Sequence, residues 1–123
     1  MRTDSLEIVV RDYDPKTDNG YIYSTWTKYA WYSPRDPILL TKSKFFAYKI
    51  KEIDGVLASR SVHIACLKSD PFIIMGYIVF NKNGTYPKVE WICVKKDFHN
   101  QGIDKLLIQS MSKEIDDRIG PEQ

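Results

Sequence analysis

The stretch VKKDFHNQGIDKLLI, residues 94–108, leaves an alternating apolar run, crosses a polar segment holding one glycine, and enters the apolar spacing of a helix. A strand that ends in such a loop and feeds a helix sets out a row of backbone N–H groups with no intrahelical partner, and the helix dipole favours an anion among them. Gly102 lets the backbone come close to a phosphate, and Lys95, Lys96 and Lys105 add positive charge nearby. The loop therefore reads as a cradle for a phosphate-bearing ligand.

Upstream, KVEWICVKK (88–96) alternates with Val89, Trp91 and Cys93 on one face and Glu90, Ile92 and Val94 on the other. Before it lie the near-continuous apolar run FIIMGYIVF (72–80) and the alternating SVHIACL (61–67), separated by KSDP, with the polar turn NKNGTYP leading on to residue 88. These spacings predict paired antiparallel strands, the second of the three central. Downstream, Ile103, Leu106, Leu107, Met111 and Ile115 form a helical stripe that Gly120-Pro121 ends.

The N-terminal part predicts a strand over Glu7 to Tyr13, closed by a turn at Asp14-Pro15, then a helix from about Asp18 to Tyr32, with Ser33-Pro34 beyond it. A second helix carries Phe46, Ile50, Ile53 and Leu57 on one face and is capped by Thr41 or Ser43. Trp26 is expected in the core. Tyr23 and Trp31 fall off the main stripe, so at least one of them is expected on an exposed or partner-contacting face. The element order is β-α-α-β-β-β-α, and the chain of 123 residues is expected to form a single domain, 1–123.

Composition narrows the function classes. A formal net charge of +2 with dispersed basic residues does not suggest nucleic-acid binding. No stretch approaches the roughly 18 apolar residues of a membrane span, and MRTDSLEIVV lacks a signal peptide's apolar run, so a cytoplasmic location is expected. Cys66 and Cys93 lie in alternating stretches without a second cysteine or histidine at ligand spacing, which predicts buried free thiols and no metal site. His63 and His99 have no serine or cysteine in a recognisable nucleophile setting, and His63 reads as a strand residue.

On these residues the chain resembles the Gcn5-related N-acetyltransferase (GNAT) superfamily. Its members transfer an acetyl group from acetyl-CoA to an amine, and carry a Gln/Arg-x-x-Gly-x-Gly/Ala signature five residues after a valine or isoleucine that ends the fourth strand. Here Val94 stands five before His99, and the signature reads His99-Asn100-Gln101-Gly102-Ile103-Asp104. The resemblance implies an α/β fold, a GNAT-like mixed sheet around a splayed fourth strand. It implies acetyl-CoA as cofactor, with the backbone from His99 to Lys105 on the pyrophosphate and Ile92, Cys93 and Val94 on the pantetheine arm. Glu90 shares the parity of the acidic residue that many members use as general base, whereas the position nearer the best-known members is Lys88.

Two signature positions depart from the pattern. His99 stands for Gln/Arg, and Asp104 places a carboxylate where Gly or Ala packs against the pyrophosphate. The family's later strands and its general-acid tyrosine have no counterpart in the sequence, which implies missing C-terminal strands and a protein partner or homo-oligomer to complete the sheet. The leading expectation is an N-acetyltransferase acting on an amine acceptor. The alternative is a non-catalytic protein that keeps the scaffold for binding or assembly. A similar aromatic segment in short phage-encoded members of the superfamily extends that alternative to a phage structural or accessory component, placed in host cytoplasm or virion.

Overall fold

The computed structural model describes residues 7–32, 41–82, 88–99 and 101–119, with side chains to 116. The expected punctuation at Ser33-Pro34 and Gly120-Pro121, and most of the turn after Asn81, lie outside the described residues. Four strands, β1 (Ile8–Asp12), β2 (Ser61–Leu67), β3 (Ile74–Asn81) and β4 (Lys88–Val94), and three helices, α1 (Pro15–Tyr32), α2 (Lys42–Ser59) and α3 (Ile103–Ile119), follow one another in the order β-α-α-β-β-β-α. The chain divides into two compact units, one of residues 1–13 and 60–123 and one of residues 14–59.

In the first unit the strands lie in the order β1-β2-β3-β4, every pairing antiparallel, so the parallel pairing of a mixed sheet is not among the described residues. β3 is buried along its length up to Phe80, as its continuous apolar sequence requires of a central strand. The strand begins at Ile74 rather than Phe72, because residues 71–73 close the hairpin turn and leave Phe72 exposed. α3 covers one face of the sheet: Ile103 and Leu107 pack with Ala65, Met75, Ile78 and Phe80, and Met111 and Ile115 extend the stripe. Burying each of these large side chains contributes about 1.5–3 kcal/mol, enough to fix α3 on the sheet.

One irregularity overturns the expected faces of β4. Val79 pairs with Trp91 but Phe80 pairs with Val89, so Glu90 is an extra residue on β4 and forms a β-bulge. Paired residues share a face and neighbours on β3 point oppositely, so Val89 and Trp91 lie on opposite faces rather than together.

In the second unit α1 begins at Pro15, three residues before the expected start. Asp14-Pro15 is a helix cap rather than a turn. The Asp14 carboxylate accepts the Lys16 N–H at 3.1 Å, Asp18 reaches back to the Asp14 N–H at 2.8 Å, and proline occupies the first helical position, where its missing N–H costs nothing. Thr41 caps α2 by accepting the Lys44 N–H at 3.3 Å. The buried residues of α2 are Phe45, Ile53 and Leu57, with Phe46 and Ile50 half-buried beside them. Trp26 is buried as expected. Tyr23 and Trp31 are neither exposed nor free: Trp31 packs on Phe45 with ring centroids 5.2 Å apart, and the Tyr23 hydroxyl donates to Asp54. The outward aromatic side chains are instead Tyr29 and Tyr32 on α1 and Tyr48 on α2.

His63 is buried on β2 and ties that strand to α3, with Nδ1 2.9 Å from Ser110 Oγ and Nε2 2.6 Å from Glu114 Oε1, while Lys82 holds the other Glu114 oxygen at 2.8 Å. The serine, histidine and glutamate have the order of a nucleophilic triad. Ser110 donates its proton to the Leu107 carbonyl at 2.7 Å, however, and sits in mid-helix where backbone N–H groups are spent on the ladder, so the set braces the fold. Burial pulls the Glu114 carboxyl upward, but hydrogen bonds from Lys82 and His63 and their charges outweigh it and hold the group below its ordinary range. A depressed carboxylate stabilises the fold above its unfolded pKa and loses that contribution as pH falls through the folded one. Glu114→Gln is therefore expected to lower Tm at pH 7 and to flatten the acid limb of a Tm–pH curve below about pH 4.5. Parallel acid limbs in the two proteins would count against this assignment.

Candidate functional site

The site is built by the end of β4, the turn after it and the start of α3. β4 is the last strand of the sheet, and no strand among the described residues pairs with its outer edge. The Lys95 N–H donates to the Met75 carbonyl at 2.8 Å, toward β3. By the alternation of an antiparallel ladder, the backbone groups of Trp91, Cys93 and Lys95 turn toward β3, and those of Ile92 and Val94 turn to the open edge. Of the three residues expected along a pantetheine arm, Ile92 and Val94 have their backbone groups on the open edge, while those of Cys93 face the sheet.

Beyond Val94 the chain curls through a 3-10 turn at Lys96–Phe98. This turn uses some of the expected donors internally: the His99 N–H meets the Lys96 carbonyl and the Gln101 N–H meets the Phe98 carbonyl, both at 3.4 Å. Asn100 lies outside the described residues. Gly102 has φ +76°, the left-handed region in which a side chain is strained, and a Cβ there would meet nothing within 4 Å, so the glycine is needed for the turn and opens onto free space. The first i→i−4 bond of α3 runs from the Leu106 N–H to the Gly102 carbonyl at 3.0 Å, which places the N–H groups of Ile103, Asp104 and Lys105 ahead of the helical ladder. Within 99–105, the N–H groups of His99 and Gln101 are thus spent in the turn, and those of the first turn of α3 stand ahead of the ladder. Ile103 is buried under the sheet and anchors it, while Asp104, Lys105, Lys95 and Lys96 are exposed around it.

Glu90 stands at the bulge, four residues and about 13 Å of strand before Val94. Arg60, at the entry to β2, donates from Nε to Glu90 Oε2 at 3.2 Å, and both side chains are partly buried. Trp91 Nε1 donates to the buried Tyr77 hydroxyl at 3.2 Å and fixes the strand beside it. Sequence reasoning missed Arg60, Ser110 and Glu114, whose roles arise from partners 30, 47 and 51 residues away. The closing contact within the turn, His99 Nε2 on the Val94 carbonyl at 2.9 Å, had no signal either. Cys66 and Cys93 are buried and form no disulfide, and among the described residues no group of His, Cys, Asp and Glu side chains is placed to hold a metal ion. Among the described residues no helix is long and apolar enough to cross a membrane.

No protein-family model and no curated protein matches the chain. Among solved structures it is similar to the ribosomal-protein-alanine N-acetyltransferase of Brucella melitensis biovar Abortus, with a TM-score of 0.63 and 17% identity over 94% of this chain and 76% of the other. It is similar to the Gcn5-related glucosamine N-acetyltransferase region of a fungal multi-domain GH3 β-N-acetylglucosaminidase, with a TM-score of 0.61 and 16% identity over 89% of this chain and 12% of the other. A third similarity is to AAC(6')-Iy, solved with the bisubstrate analogue CoA-S-monomethyl-acetylneamine, with a TM-score of 0.54 and 16% identity over 87% of this chain and 70% of the other. The chain spans 66% and 65% of the length of two further acetyltransferase structures that it matches. On these similarities the chain has the fold of the Gcn5-related N-acetyltransferases.

Proposed function

We propose that the chain is an acetyl-CoA-dependent N-acetyltransferase that acts on an amine. The observation that carries the reading is the coincidence, on a fold shared with N-acetyltransferases, of an open β4 edge with a glycine-opened helix N-terminus directly after it. The residues fit the cofactor in kind. Backbone groups of Ile92 and Val94 offer amide partners to an extended arm, and the N–H groups of Ile103, Asp104 and Lys105, with the Gly102 opening, offer donors to a pyrophosphate. Lys95, Lys96 and Lys105 supply charge around it. When bound, the thioester of acetyl-CoA supplies the activated acetyl group. Glu90 accepts the proton of the acceptor ammonium, directly or through a water, and Arg60 holds its other face in place.

Asp104 is the residue that works against this cradle. Near a surface, two unit charges a few Å apart interact by about 4 kcal/mol before screening, comparable with what a helix N-terminus and neighbouring lysines contribute together. Asp104→Gly is expected to tighten acetyl-CoA binding by about tenfold, or roughly 1.4 kcal/mol, and the gain shrinks at higher salt. Calorimetric titration of both proteins with acetyl-CoA at two salt concentrations tests the reading. Measurable binding that strengthens in the variant supports it. Heat from neither protein at high micromolar concentration would leave the loop as a plain strand-to-helix connection.

A further inference from the structure

His99 does more than close the turn. Its Nε2 lies 2.9 Å from the Val94 carbonyl, and a carbonyl only accepts, so this ring nitrogen carries the proton and donates. Because Lys95 commits its N–H toward β3, the Val94 carbonyl is one of the few backbone acceptors on the open edge. An arm whose amide N–H groups lie along that edge needs the same acceptor. We infer that His99 is an internal competitor for the pantetheine site: its ring clasps the Val94 carbonyl in the free protein and must swing away before an acyl-CoA arm can lie against the end of β4.

The proposal rests on the acetyl-CoA reading and adds a regulation to it. Three observations make the clasp a device rather than a fixed brace. His99 is exposed, so the ring can turn into solvent without opening a cavity. The turn has its own backbone bonds, Phe98 to Lys95 at 2.8 Å and Gln101 to Phe98, which keep its shape when the ring leaves. Phe98 also packs against the core under α3 and anchors the turn independently of the histidine. The clasp therefore masks the edge without holding the loop together. It also leaves the first turn of α3 unobstructed, so the two halves of the ligand site respond to it differently.

That difference gives the test. CoA carries both the pantetheine arm and the phosphates, whereas adenosine 3',5'-bisphosphate carries phosphates and no arm. His99→Ala and His99→Phe, the second keeping ring bulk while removing the donor, are titrated with both ligands beside the wild type. Freed of one competing hydrogen bond, both variants are expected to bind CoA about three- to tenfold more tightly and adenosine 3',5'-bisphosphate unchanged. Ring 15N shifts in the free wild type should show the Nε2–H form, moving when CoA is added. Equal CoA affinity across the three proteins, a parallel gain for both ligands, or a His99 ring free of the carbonyl overturns the clasp while leaving the cofactor reading intact. Absence of CoA binding in all three overturns both.

Discussion

Glu90→Gln is expected to lower kcat for acetyl transfer by about 100-fold or more and to leave acetyl-CoA affinity unchanged. The amide is nearly isosteric with the carboxylate and still accepts a hydrogen bond from Arg60, so the bulge and its 3.2 Å contact survive. What is removed is the capacity to take a proton from an ammonium acceptor. The binding groups begin about 7 Å further along the strand at Ile92 and run through Val94, about 13 Å on, to the first turn of α3, which is why affinity and turnover should separate. Steady-state assays following free thiol, with a panel of amine acceptors, read kcat, and calorimetry reads binding. A kcat within about threefold of wild type would reduce Glu90 to a strand residue held by an ion pair. If kcat and affinity fell together, the effect would be structural.

The bulge that sets Glu90 apart was not legible in the sequence. Alternation in KVEWICV reads equally well with or without an extra residue, because the departure is revealed only by the partner strand, where Val79 meets Trp91 and Phe80 meets Val89. The same holds for contacts made at a distance: His63 sits in an alternating run that says strand, and nothing in that run names Ser110 or Glu114. Where burial writes a period into the chain the reading succeeded. The spacing of Ile103, Leu107 and Met111 gave α3, and the shift from a period near 3.6 to one of two after Ser59 separated α2 from β2. Asp14-Pro15 misled because aspartate followed by proline serves turns and helix starts alike, and only the Asp18 hydrogen bond tells which is present. At the loop, the glycine and the strand-to-helix change were readable, whereas the 3-10 turn that spends the donors of His99 and Gln101 was not.

Gly76→Ala is expected to damage both stability and the cofactor site, for one geometric reason. Gly76 and Val94 form a pair of β3 and β4 at the non-hydrogen-bonded spacing, where Cα atoms approach to about 4.5 Å. A Cβ on residue 76 would stand 2.7 Å from the Cys93 carbonyl oxygen, 3.2 Å from Val94 Cα and 3.5 Å from Ile103 Cγ2. The first two are backbone atoms and cannot turn aside as a side chain would, so β4 must move. It moves where Val94 presents its outward groups and where Ile103 seats the first turn of α3. Overpacking of this kind costs about 1–3 kcal/mol, a Tm lower by roughly 5–10 °C for a chain of this size. Acetyl-CoA binding should weaken by about tenfold or more, since a displacement of about 1 Å at either group misaligns donors set on two different elements. Thermal unfolding and calorimetry of the same preparation decide it. A variant with wild-type Tm and undiminished acetyl-CoA affinity would show that the β4 edge and the α3 N-terminus do not form one ligand site.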